Sequence, residues 1–320
     1  MNPDVVSAVA RLRADNVLSV ELAALFDRVA RRLLVSLHIE IRALLYAGVL
    51  LLTSGVGLLV KEYHREIGPW AIALAIGLAS AACLVWVSRA AAPFSWGEVP
   101  SPNIAFDYIL VLGLLLFASD LAYGEVQFTL LGANWAHHLL VVGLAYVVSA
   151  YLWDSRTILG LALTTLAAWR GVSVSLASAW KSQPDDLREN ALVLGVVYVA
   201  AAALSVLARR KAHFEPVFAN AGLVLVLGAL VSGALDDETA WAAWLAVLFV
   251  AAGVVMWHGF RLDRSLYFAL GVVAAYVGLL RLVFQPFRHA ESSIPFFLAA
   301  LLGVGVIILM FAAHRRMQDR

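Results

Sequence analysis

Asp120, Glu125, His137, His138, Arg170 and Arg281 are the side chains in this sequence with the most capacity for chemistry. Each lies in or beside a long apolar run, where an ion costs several kcal/mol unless it is paired, hydrated or able to reach the interface. At a helical rise of about 1.5 Å per residue, Asp120, Arg170 and Arg281 each stand about fifteen residues along their runs, roughly 22 Å into a hydrocarbon core roughly 30 Å thick. His137 and His138 enter the following run from that same outer side, and Glu125 closes the run that holds Asp120. Opposite charges at one depth suit two roles. Ion pairing of Asp120 with Arg170 or Arg281 would hold helices in register, and a polar pocket in the outer leaflet would bind a small ligand or an ion.

Other chemistry finds less footing. Adjacent histidines on a helix point about 100° apart, and no third ligand stands at a metal-binding spacing from His137 and His138, so no metal site is expected. No nucleophile–base pair, zinc-binding helix motif or phosphate loop is visible, so an enzyme is not expected, nor is a cofactor. Cys83 is the only cysteine, which excludes an intrachain disulfide. Asp107, near the start of one run, and Asp154, in the Asp154-Ser155-Arg156 turn, read as interfacial caps, with Asp154 capping the helix that follows.

These residues need elements to hold them, and composition says what kind. The chain has 320 residues, 62% of them hydrophobic and 14% charged, with a mean hydropathy of +0.86. A soluble domain of this size could not hide so much apolar surface. The net charge of +1 and the absence of a basic stripe argue against nucleic acid as a partner. The lipid bilayer is the expected partner, and a homo-oligomer is left open.

Apolar runs of about 20 residues suffice to cross a bilayer, and about ten can be read. They are Ile41–Val60, Pro69–Ser88, Ile104–Tyr123, Ala136–Trp153, Thr157–Ala179, Ala191–Ala208, Pro216–Leu235, Ala240–Trp257, Ser265–Phe284 and Ile294–Ala313. Backbone groups in lipid must bond internally, and these runs are too long for barrel strands, so the fold class is all-α, a polytopic helical bundle. The transmembrane domain spans 39–320, with halves at 41–180 and 190–313. Before it, Val5 to Leu37 carries apolar residues at three-to-four spacing, which predicts two amphipathic cytoplasmic helices within 1–38. Two roles stay open for them: a hairpin whose Arg28, Arg31 and Arg32 rest at lipid headgroups, or a docking face for a cytoplasmic partner. The acidic start Met1-Asn2-Pro3-Asp4 lacks the apolar stretch of a secretory signal, so the first span is expected to direct insertion.

Arg170-Gly171 interrupts the fifth run, and loop charge decides whether that run crosses. If it does, Arg89, Arg156, Arg209-Arg210-Lys211, Arg261, Arg264 and Arg315-Arg316 all face the cytoplasm, and only Lys61, Arg65, Lys181, Arg188 and Arg288 lie outside. If it does not, the later clusters invert against the positive-inside rule. Both termini are therefore expected in the cytoplasm. Trp70, Trp153, Trp241 and Trp257 fall at predicted span ends, where indoles prefer to sit. Ala73-Gly77-Ala81, Gly228-Ser232 and Gly271-Ala275 offer small residues four apart for close helix approach. Val126–Leu131 is too short to span, which leaves a packed loop or a re-entrant segment.

Residues 10–180 resemble the bacterial predicted membrane proteins of domain-of-unknown-function family 2157. The resemblance rests on the helical stretch Leu12 to Leu34, on Leu44-Leu45-Tyr46-Ala47-Gly48 through Gly55-Val56-Gly57, and on the block from Asn134-Trp135 to Ser155-Arg156 and Trp169. Lys61-Glu62-Tyr63-His64 stands where members often carry an Asn-Trp pair. The resemblance implies a bacterial inner-membrane location and no established activity. Two functions stay open: a transporter-like or small-ligand-binding bundle, and a membrane scaffold or sensor that recruits a partner through its N-terminal helices. In the second, the embedded charges are purely structural.

Overall fold

The computed structural model describes residues 68–129, 131–134, 137–171, 184–236, 240–287 and 293–318, with helical positions scattered through 44–58. The chain divides into two units, Met1–Gly68 and Pro69–Arg320. In the first, the described positions of the Ile41–Val60 run are helical and carry exposed leucines such as Leu44, Leu51 and Leu58. The predicted hairpin of 1–38 and Lys61-Glu62-Tyr63-His64 lie outside the described residues.

In the second unit nine α-helices are described: α1 Pro69–Ala90, α2 Ile104–Phe128, α3 His137–Trp153, α4 Arg156–Trp169, α5 Pro184–Leu207, α6 Glu215–Leu235, α7 Trp241–Arg261, α8 Ser265–Phe284 and α9 Ile294–Gln318. No strand occurs among the described residues. All but α3 and α4 are long and apolar enough to cross a membrane, seven helices in total, as fits a multi-pass membrane protein. Their outward faces carry Leu204, Leu207, Phe297 and Leu301, each more than half exposed, and lipid is the solvent that suits such surfaces.

Local sequence explains most helix ends. Asn103 caps α2 by accepting from the Phe106 N–H at 2.8 Å. Asp107 therefore is not the cap; it sits in the first turn, where the helix dipole favours a carboxylate, and accepts from Ser101 Oγ at 2.8 Å. Ser155, not Asp154, caps α4 by accepting from Ile158 N–H. Asp154 cannot serve, because its backbone is left-handed at φ 57° and its carboxylate is engaged elsewhere. α4 stops after 14 residues at Arg170, followed by Gly171 at φ +81°, a conformation that glycine adopts without strain. Residues 172–180 of the predicted fifth span lie outside the described residues. Val126 to Phe128 form the last turn of α2 rather than a separate loop, and Thr129 closes that turn in the left-handed conformation.

Sequential helices pack as hairpins: α1 with α2, α3 with α4, α5 with α6, α7 with α8. α9 rests on α8, and α6 also touches α4, α7 and α8. Leu227, Leu230, Leu245, Leu248, Ala252 and Ala274 bury a common core between α6, α7 and α8. Glycines set the closest crossings. A Cβ on Gly222 would lie 2.8 Å from the Gly195 carbonyl oxygen and 2.9 Å from the Val199 nitrogen, so α5 and α6 meet backbone to backbone. Gly271 seats α8 on Met256 and Ala252 of α7, whereas Gly228 has nothing within 4 Å.

Hydroxyls bond across helices to backbone carbonyls. Ser80 Oγ donates to Gly113 O at 2.8 Å, Tyr146 to Leu114 O at 3.0 Å, Tyr198 to Leu163 O at 2.8 Å and Tyr276 to Ala299 O at 3.1 Å. In a bilayer a hydroxyl without an acceptor is costly, so each bond ties two helices. Tyr198→Phe removes the bond between α5 and α4 at nearly constant volume. Its expected cost is about 1 kcal/mol, readable as a small drop in thermal unfolding temperature in detergent.

Candidate functional site

One end of the second unit gathers the loop 91–103, the turn 154–155, the loop 208–214 and the turn 262–264. At its centre Asp154 is sealed in. Its Oδ2 accepts the Val99 N–H, and its Oδ1 lies 2.5 Å from His213 Nε2. Lys211 Nζ stands 3.0 Å from the same Oδ1, as an ion-pair partner rather than in hydrogen-bond geometry. Asp154 and Lys211 are 2% and 1% exposed. The Lys211 N–H donates to Trp96 O at 2.8 Å, and its ammonium lies 5.2 Å from the Phe94 ring. Arg156 pairs with Glu98 at 2.8 Å, and Arg210 sits over Trp96 at 4.6 Å. The cavity beside Asp154 measures about 10 Å³, no larger than one water requires. This cluster is a clamp: it joins three segments far apart in sequence and leaves no room for a ligand.

Beside the clamp, a groove of about 650 Å³ runs between α5, α6 and α7, within the range of small-molecule sites. Val199, Ala203 and Val206 of α5, Leu223 of α6, and Val254 and Val255 of α7 wall it. Its mouth is polar, lined by Glu215, His258, Arg264 and Tyr267. Glu215 opens α6, where the dipole favours its charge, and Arg264 occupies the turn before α8. Arg264 Nη1 donates to Glu215 Oε1 at 2.6 Å and to the Tyr267 hydroxyl at 2.7 Å, and that hydroxyl donates to Glu215 Oε1 at 3.2 Å. The Glu215 hydrogen bond is the main cause that raises the already high Arg264 pKa, so the guanidinium stays charged. These contacts occupy one nitrogen of a guanidinium that is one-third exposed, and a guanidinium carries five N–H donors. The arrangement offers an apolar trough for a hydrocarbon chain and directed donors for an anionic or strongly polar head.

The residues singled out from sequence lie mostly elsewhere. His137 and Arg170 come together around Trp169: the His137 ring is 6.5 Å from the indole, and the Arg170 guanidinium lies 5.8 Å from it. His137 Nδ1 is 3.0 Å from Asn134 O, and His138 follows it in the first turn of α3. Glu125 folds back to accept the Leu131 N–H at 2.9 Å. Arg281 sits over Trp241 at 5.4 Å. Asp120 faces α1, where a Cβ on Gly77 would meet its Oδ2 at 3.0 Å. Among the described residues no ion pair joins Asp120 to Arg170 or to Arg281. None of the six lines the groove.

The groove's polar mouth was not singled out from sequence, where Arg264 counted only as a topological charge. Glu215 and Arg264 are 49 residues apart, and no local motif links them. Arg188 is a similar case. Assigned to an outer loop, it lies inside α5, only 4% exposed, paired with Asp236 at 2.7 Å and stacked over Trp244 at 5.3 Å. No family model matches the chain, and neither a curated protein nor a solved structure matches it.

Proposed function

We propose that the protein is a bundle of about ten transmembrane helices that binds a small amphiphilic ligand in the groove between α5, α6 and α7, with both termini in the cytoplasm of a bacterial inner membrane. The single observation that carries the binding reading is the junction of apolar walls with the Glu215–Arg264–Tyr267 mouth. The expected site thus moves from the outer leaflet to the cytoplasmic end.

The clamp supports the topology. Turn 154–155 and loop 208–214 meet at one end, so α4 leaves that end and α5 returns to it. α4 at 14 residues covers about 21 Å of a hydrocarbon core roughly 30 Å thick. Arg89, Arg156, Arg209-Arg210-Lys211 and Arg264 then share one side, as the positive-inside rule asks. The apolar run 41–60, added to the nine helices of the second unit, brings the proposed number of spans to ten. The resemblance of residues 10–180 to family 2157 is in keeping with the inner membrane.

Ala203 lines the groove with an exposed side chain, so Ala203→Trp fills the trough without entering the core. Arg264→Gln removes the charge at the mouth. Protein purified from membranes and extracted for mass spectrometry is expected to retain a defined amphiphile in the wild type. Ala203→Trp should lose at least ten-fold of it, and Arg264→Gln a smaller share. Equal retention in all three would defeat the binding reading and favour a scaffold that works through the 1–38 helices.

A further inference from the structure

A second site lies in the α1–α2 hairpin, away from the groove. Asp120 is the seventeenth residue of α2 and stands eight residues, about 12 Å, from its far end. α2 is about 37 Å long against a hydrocarbon core of roughly 30 Å, so Asp120 lies about 8 Å inside the apolar layer, beyond the reach of a short carboxylate. Its Oδ1 is buried without a hydrogen-bond partner among the described residues, and Oδ2 rests against Gly77. The facing helix offers no counter-ion: between Pro69 and Ser88 the only titratable side chain of α1 is Cys83. On α2 itself the nearest is Tyr123, one turn on, whose hydroxyl is likewise buried without a partner. Asp107 and Glu125 bond near the two ends of α2, at Ser101 and Leu131. On α3, which also packs on α2, His137 and His138 occupy the first turn and the Tyr146 hydroxyl is committed to Leu114 O.

An isolated carboxylate in such a medium is far costlier than the neutral acid. We propose that Asp120 holds a proton inside the bilayer, so that the α1–α2 hairpin contains a proton-binding carboxyl seated against Gly77. Loss of the proton would set a bare charge against an apolar helix, which couples proton occupancy to the packing of α1 on α2. Asp120 is partly exposed on the bundle's surface, so an apolar reagent dissolved in the bilayer can reach it.

Dicyclohexylcarbodiimide tests this on the full chain in lipid nanodiscs. The acid proton passes to one carbodiimide nitrogen, the carboxyl oxygen bonds the central carbon, and the acyl group then shifts to nitrogen. The N-acylurea keeps every atom of both reactants. Peptide mass mapping at neutral pH is expected to place the adduct on Asp120, with no adduct at that position in Asp120→Asn. A water-soluble carbodiimide with an added amine should instead modify Glu98, which is exposed at the clamp end, and spare Asp120. The infrared carbonyl band of a protonated carboxyl should disappear in Asp120→Asn. Because wild-type mapping assigns the adduct by itself, a poorly folded variant does not blunt the test. Asp120 left unmodified by the apolar reagent, or modified by the water-soluble one, overturns the proposal. Neither outcome depends on whether the groove binds anything.

Discussion

Asp154→Ala is expected to destabilise the protein more than any other single change considered, by about 3–5 kcal/mol, because it strands the Lys211 ammonium in the interior. Lys211 is 1% exposed, and Asp154 is its charge partner there. The same change frees the Val99 N–H and removes the acceptor facing His213, so the loop 91–103 loses its hold on the loop 208–214. Asp154→Asn keeps the shape and one acceptor but not the charge, and should fall between wild type and alanine. Pairing Asp154→Asn with Lys211→Met removes the stranded charge and should recover part of the loss. Thermal unfolding in detergent reads all four. An unfolding temperature unchanged in Asp154→Ala would mean that the clamp does not hold this end together.

The second large effect is expected at the α5–α6 crossing. Gly222→Val places a branched side chain where the Gly195 oxygen and the Val199 nitrogen already stand at 2.8 and 2.9 Å from a Cβ. Backbone atoms cannot rotate away, so the helices must separate, at a cost of roughly 1–3 kcal/mol or more. That separation would also shift Val199 and Ala203 in the groove wall. Gly228→Ala, on the same helix, is the control. It meets nothing within 4 Å and should be neutral or stabilise by up to about 1 kcal/mol, since alanine is the better helix former. Monodispersity on size exclusion and unfolding temperature separate the two. Similar behaviour of both variants would contradict the close crossing.

The helices were legible because lipid imposes a demand that shows locally: an apolar run of about 20 residues with polar ends. Ser265–Phe284 matched to the residue, α6 and α7 differ from their predicted runs by at most four residues at either end, and α5 begins seven residues before its run. The weak point at Arg170-Gly171 was also visible, and α4 ends there. Caps were less legible, since Asn103 and Asp107, or Asp154 and Ser155, are near neighbours with the same capping chemistry, and only backbone conformation separates them. Small-residue spacing picked out Gly271 correctly but also Gly228, and it passed over Gly195 and Gly222, because alanine and glycine are common throughout the chain.

Polar partnerships were the least legible. Asp154 meets Val99 and His213 across 55 and 59 residues, and Glu215 meets Arg264 across 49. Depth counting could place Asp120, Arg170 and Arg281 at one level but could not say which way each faces around its helix. Arg170 and Arg281 turn toward tryptophans, Trp169 and Trp241, and Asp120 toward Gly77. Shared depth therefore made no ion pair between them among the described residues.

Whether the groove holds an amphiphile is decided most directly by an experimental density map of the full chain in nanodiscs of its native lipids. The expected result is elongated density along Val199, Leu223 and Val254, with a polar group within hydrogen-bond distance of the Arg264 guanidinium or His258. A groove closed by its own side chains, or density whose polar group points away from Glu215, Arg264 and His258, would contradict the binding site.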